Sequence, residues 1–163
     1  MKRLLIVWHS RTGAARQMAE TAARAARDES GVETVLARAR DVDAAAVLAA
    51  DGYLFAAPEN LASLSGEMKE FFDRIYYAVL ERTNGRPYAL FVSAGSDGAN
   101  AVRQMQRICT GLRLREVAPP FIVNLEAQTP ERILAPKTVL PGQLARCAET
   151  GAALAAGLAS GVF

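Results

Sequence analysis

Long apolar runs are missing from this 163-residue chain, and none approaches the roughly 18 residues that a membrane-spanning helix needs. Cysteine is scarce. Cys109 and Cys147 lie far apart on apolar helical patterns, where a thiol acts as a small hydrophobe rather than as half of a redox pair. One histidine, His9, gives a His/Cys zinc site almost no raw material, and no metal site is expected. Charge of one sign is also lacking: 19 basic against 17 acidic residues give +2, and the basic ones are scattered, without the stripe that nucleic acid requires. With 51% apolar and 22% charged residues, the composition excludes disorder and fibre. The start, Met1–Trp8, has only a five-residue apolar run before His9 and no small-residue cleavage site. It reads as a buried strand rather than a signal peptide, and the chain is expected to be cytoplasmic, with no membrane partner.

What is present is an alternation. Five apolar runs stand out: Leu4–Trp8, Thr34–Leu36, Gly52–Ala57, Tyr88–Ser93 and Phe121–Val123. Four are nearly continuous, as strands buried on both faces of a parallel sheet are, and the second, flanked by Arg38 and Arg40, reads as an edge. Helical patterns lie between and after them: Ala14–Glu29, Asp43–Ala50 capped by its aspartate, Gly66–Glu81 with Ser65 as N-cap, Gly98–Leu112 ended by Gly111, and Gln143–Leu158. Strand–helix order repeated five times predicts one domain, residues 1–163, an open α/β sheet with helices on both faces. Leu125–Leu140, with Pro130 and Pro136, shows no clean period and is long for a loop.

In such a sheet ligands bind beyond the carboxyl ends of the strands. The loop His9-Ser10-Arg11-Thr12-Gly13-Ala14-Ala15 sets two hydroxyls and a glycine before a helix, which suits a phosphate and equally describes a plain cap. Pro58-Glu59-Asn60-Leu61-Ala62-Ser63-Leu64-Ser65-Gly66 carries two leucines where a solvated loop is expected. They either fold back on the core or form a flat apolar wall for a ring. In Ser93-Ala94-Gly95-Ser96-Asp97-Gly98, small residues would let backbone approach a ligand, or Asp97 simply caps a turn. His9 reads as a satisfied strand-end residue or as a contact to a ligand.

Taken together, Ser10-Arg11-Thr12-Gly13, Pro58-Glu59-Asn60 through Ser65-Gly66-Glu67-Met68-Lys69-Glu70-Phe71-Phe72-Asp73-Arg74, and Ser93 to Gly98 resemble the flavodoxin-like family of flavin mononucleotide (FMN) proteins. The middle motif resembles its NAD(P)H-dependent FMN/quinone reductase branch, and the similarity covers about residues 3–124. The resemblance implies a three-layer sandwich around a five-stranded parallel sheet in the order 2-1-3-4-5. It implies FMN phosphate held by Ser10, Arg11, Thr12, Gly13, Ala14 and Ala15. It implies the isoalloxazine ring between Pro58, Glu59, Asn60 and Leu61 on one side and Ser93, Ala94, Gly95, Asp97 and Gly98 on the other. Two departures stand out. Ala15 replaces the family's usual second threonine, and no Trp or Tyr occurs in Pro58–Gly66 or Ser93–Gly98 to sandwich the flavin.

The expected function is hydride transfer from NAD(P)H through FMN to a quinone or similar small acceptor, with no indispensable catalytic side chain because the cofactor carries the chemistry. The resemblance also implies a homodimer or homotetramer. Two alternatives stand beside it: an electron carrier docking on a redox partner, and a binding module that has lost tight FMN binding. Carriers of this family are strongly acidic, so the +2 charge speaks against the first.

Overall fold

A computed structural model describes residues 1–163. The chain begins with β1 (Lys2–Trp8), α1 (Ala14–Ala26), β2 (Val32–Arg38), α2 (Ala44–Ala49) and β3 (Gly52–Asn60). A short β4 (Ser63–Leu64) precedes α3 (Gly66–Val79), β5 (Pro87–Ala94) and α4 (Ala99–Gly111). Then come β6 (Arg115–Glu116), β7 (Phe121–Asn124), α5 (Pro130–Leu134) and α6 (Pro141–Ser160). The sheet runs β2-β1-β3-β5 with every pairing parallel, and β6 and β7 share the place beyond β5. This is the 2-1-3-4-5 order, β5 and β7 being the fourth and fifth apolar runs. The fifth strand is split at Pro119-Pro120, which offer no N–H to a ladder.

Alternate residues of the buried strands feed two cores. Leu5, Val7, Tyr53 and Phe55 face α2, α3 and α4, meeting Met68, Phe71, Phe72, Ile75 and Met105. Leu4, Ile6, Leu54 and Phe91 face α1 and α6, meeting Met18, Ala19, Ala22, Cys147 and Leu154. Both cysteines are buried and free; burial raises both thiols, Cys147 to about 12. Strand β2 is only half buried along most of its length, as an edge should be.

Several local expectations are corrected. Asp43 does cap α2, accepting from Ala46 N–H at 2.8 Å. Gly111 is the last residue of α4 but does not supply its left-handed ending. Arg113 takes the left-handed position at φ 59°, with Leu114 N–H reaching Cys109 O at 2.9 Å and Arg113 N–H reaching Thr110 O at 3.0 Å. That is a Schellman ending, its left-handed residue two positions beyond the glycine. The stretch Pro58–Gly66 is a hairpin rather than a loop: β3 runs through Asn60 and β4 returns antiparallel, pairing Glu59 with Leu64.

Candidate functional site

Helices α1, α3 and α4 all begin where β1, β3 and β5 end. Ser10 Oγ accepts from Gly13 N–H at 3.0 Å, leaving its own hydrogen free, and the Thr12 hydroxyl bonds nothing in the chain. Gly13, at φ 105°, opens α1 with no side-chain cap, although Ala14 and Ala15 behind it are 2% and 0% exposed. The first-turn N–H groups of a helix have no intrahelical acceptor. They therefore form, with two hydroxyls and the exposed Arg11, a donor set short of an anion. Ala15 lies wholly inside the fold, so the missing hydroxyl belongs to a packed position.

The hairpin turns on Leu61-Ala62, at φ 50° and 58°. Two-residue turns of this hand favour Asn-Gly, which is why the sequence hides it. Its two leucines part company: Leu64 is buried in the core and Leu61 is 101% exposed. The hairpin is pinned to α4 by Asn100 Nδ2–H to Ala62 O and by Leu64 N–H to Gln104 Oε1, both 2.6 Å. The Glu59 carboxylate accepts from Gly98 N–H at 2.9 Å and Ala101 N–H at 3.1 Å, so it caps α4 from another strand. Asp97 reaches only Ala99 N–H, at 3.2 Å, and lies outside the N-cap, which is Gly98.

Ser93 and Ala94 are buried at the end of β5. The glycines after them are explained by the chain itself. A Cβ at Gly95 would stand 2.6 Å from Ala127 O; one at Gly98 would stand 2.8 Å from Ile122 Cγ2, on a φ of +92°. The close backbone approach expected for a ligand is made by Ala127, whose N–H also donates to Gly95 O at 2.8 Å. Residues 125–140 then cross to α1. Lys137 N–H reaches Thr12 O at 2.8 Å, and the Gln17 amide ties Gly13 O, Lys137 O and Val139 N–H at 3.0, 2.7 and 3.0 Å.

His9 joins the first loop to the second. It is 4% exposed, its Nδ1 lies 2.8 Å from Ser65 Oγ, and its Nε2 lies 3.5 Å from Glu67 Oε2. Ser65 holds the N-cap position of α3 as expected but makes no cap bond, because its hydroxyl is turned to His9. Arg38 Nε and Nη2 bind the two Glu67 oxygens at 2.8 and 2.9 Å. Burial is the largest influence on His9 and holds its pKa below 6.5; the Arg38 hydrogen bonds hold Glu67 low. Trp8, beside this joint, has the Arg16 and Arg38 guanidiniums 5.8 and 5.7 Å from its ring centre. The Glu59 cap and the Glu67–Arg38 tie have no local sign in the sequence, because their partners are 29 to 42 residues apart. Recesses of 240 and 210 Å³ lie elsewhere, one between α6 and Val117-Ala118, the other at the opposite strand ends by Lys2 and Pro87.

This arrangement of sheet and loops defines the flavodoxin-like class. Flavodoxin 1 from Bacillus cereus superposes with a TM-score of 0.76 at 20% identity, over 96% of this chain and 99% of that one. The sequence profile described as NADPH-dependent FMN reductase matches residues 1–128, and the chain belongs to that family. A flavodoxin of Aquifex aeolicus is 33% identical over 106 residues, 64% of this chain and 57% of its own length. An NAD(P)H dehydrogenase (quinone) of Acidithiobacillus ferrooxidans is 30% identical over 117 residues, 59% of this chain and 58% of its own. The chain thus spans somewhat over half the length of these two relatives. No helix is long and apolar enough to cross a membrane.

Proposed function

We propose that this protein is an FMN-dependent oxidoreductase that takes hydride from NAD(P)H and delivers electrons to a quinone or similar small acceptor. The observation that carries the reading is the uncapped start of α1, preceded in one short loop by Arg11 and by the Ser10 and Thr12 hydroxyls with their hydrogens unspent. Such a set fits a phosphate dianion. The Ser10–Ala15 segment would hold the phosphate. Pro58 to Leu61 and Ser93 to Gly98 would line the ring, their backbone held rigid by the Glu59 and Ala127 contacts. Bound FMN supplies the hydride chemistry, so the chain's task is to bind, orient and fix the electrostatics. A homodimer or homotetramer belongs to the same proposal.

Titration with FMN, followed by flavin fluorescence, tests binding. FMN at a hundredfold excess over its Kd should stabilise the fold by about 2.7 kcal/mol. An unmoved Tm in millimolar FMN would sink the reading. The flavodoxin among the relatives favours a second one, an electron carrier. Anaerobic bleaching of the loaded protein by NADH or NADPH, with no partner protein, selects the reductase. Bleaching only through a reductase partner selects the carrier.

A further inference from the structure

His9 and Ser65 are two of the four buried polar or charged residues in the chain, and they bond each other across the first and second loops. We propose that His9 is a positioning residue that couples an anion at the start of α1 to the second loop, taking up a proton as the anion binds. The proposal rests on the flavin reading of this site.

The hydrogen-bond logic runs through Glu67. Arg38 holds that side chain as a carboxylate, which only accepts, so Nε2 of neutral His9 carries the ring hydrogen toward it. Nδ1 is then an acceptor, and the Ser65 hydroxyl donates to it. Protonation places a hydrogen on Nδ1, and the Ser65 hydroxyl must turn to accept. Ser65 occupies the N-cap position of α3, so this exchange of donor and acceptor roles carries the charge on His9 to the second loop. Three charged groups bear on the ring. Glu67 from α3 favours the imidazolium, while Arg38 from β2 and Arg11 from the first loop oppose it. Burial opposes it most and holds the His9 pKa below the ordinary imidazole value. A phosphate beside Arg11 offsets that arginine and favours the proton. By linkage, the proton favours the phosphate equally.

Because His9 is the one histidine, its imidazole NMR signals are unambiguous. They would be titrated in the protein alone, with FMN, with riboflavin and with inorganic phosphate. The expected result is a higher midpoint with FMN and with phosphate, and no change with riboflavin. FMN dissociation constants would be measured from pH 8 to pH 5 for the native chain and for His9→Asn, whose amide can keep the Ser65 bond but cannot titrate. The ratio of variant to native Kd should rise about fivefold toward acid, the low end for coupled sites. The phosphate's own titration is common to both and drops out of the ratio. If FMN binds while the imidazole midpoint and the ratio both stay fixed, the coupling is overturned. If FMN does not bind at all, the flavin reading fails, and the inorganic phosphate titration still decides the coupling. Should His9→Asn fail to fold, the native-chain NMR titration decides alone.

Discussion

Helices α1 and α4 begin with nearly the same backbone. Gly13 lies at φ 105°, ψ −13° and Gly98 at φ 92°, ψ −15°, both N-caps and both left-handed. Their electrostatics are opposite. The start of α4 is filled by the chain's own anion, the Glu59 carboxylate, which satisfies Gly98 and Ala101. The start of α1 receives no cap, and its neighbouring hydroxyls keep hydrogens to give. Backbone geometry alone therefore does not distinguish the two starts; what does is that one is filled by a carboxylate and the other keeps unspent donors.

Breaking each glycine separately should give the largest contrast. Forcing alanine into the left-handed region costs about 1–2 kcal/mol at either position. At Gly13 the new Cβ meets nothing closer than Gln17 Nε2 at 3.4 Å, whereas at Gly98 it meets Ile122 Cγ2 at 2.8 Å and Ala94 Cβ at 3.2 Å. Overpacking adds about 1–3 kcal/mol. Urea denaturation of the flavin-free protein should show Gly98→Ala losing about 3 kcal/mol or more and Gly13→Ala about half as much. Equal losses would mean that Gly98 is crowded no more than its twin.

The same contrast explains what was legible beforehand. Strands at Leu4–Trp8, Gly52–Ala57 and Tyr88–Ser93 were readable because residues buried on both faces leave a continuous apolar signature. So was the open start of α1, since Ser10-Arg11-Thr12-Gly13 is local. The filled start of α4 was not. Its cap is 39 residues away, on a hairpin whose Leu61-Ala62 turn carries none of the usual turn residues. Gly95 and Gly98 were recognisable as places of close approach, but only the folded chain shows that Ala127 and Ile122 make it.

Removing the internal anion is the second-largest test. Glu59→Ala strips two charge-assisted bonds from α4, at a cost of about 2–3 kcal/mol in thermal or urea unfolding. Glu59→Gln keeps one acceptor oxygen and should lose about half of that. If Ser10→Ala, which removes a single neutral bond at the α1 start, cost as much as Glu59→Ala, the two starts would not differ in the way described.

A smaller effect is expected at Ala15. A threonine there would add a hydroxyl to the first turn of α1. With Ala15 at 0% exposure the branched side chain has no free space. Ala15→Thr should destabilise by about 1–2 kcal/mol and leave FMN affinity unimproved. Tighter FMN binding by the variant in fluorescence titration would show that the first turn opens to the ligand at this residue.

Inorganic phosphate gives the smallest signal and the most direct reading of the comparison. At five times its Kd, a ligand bound only by the folded state adds about 1 kcal/mol. The stabilisation should be accompanied by amide NMR shifts at Ala14, Ala15 and Arg16, whose N–H groups have no acceptor in the chain. Gly98 and Ala101 should stay still, because their N–H groups already point at Glu59. Glu59→Ala then sharpens the test. With the carboxylate gone, the α4 start becomes a second uncapped left-handed glycine start, and phosphate should now shift Gly98 and Ala101 as well. It should do so more weakly than at α1, because α4 lacks the free hydroxyls of Ser10 and Thr12 and the Arg11 charge. Equal shifts at both starts in the native chain would mean that Glu59 does not occupy the α4 amides, and that the open start of α1 is not what distinguishes the site.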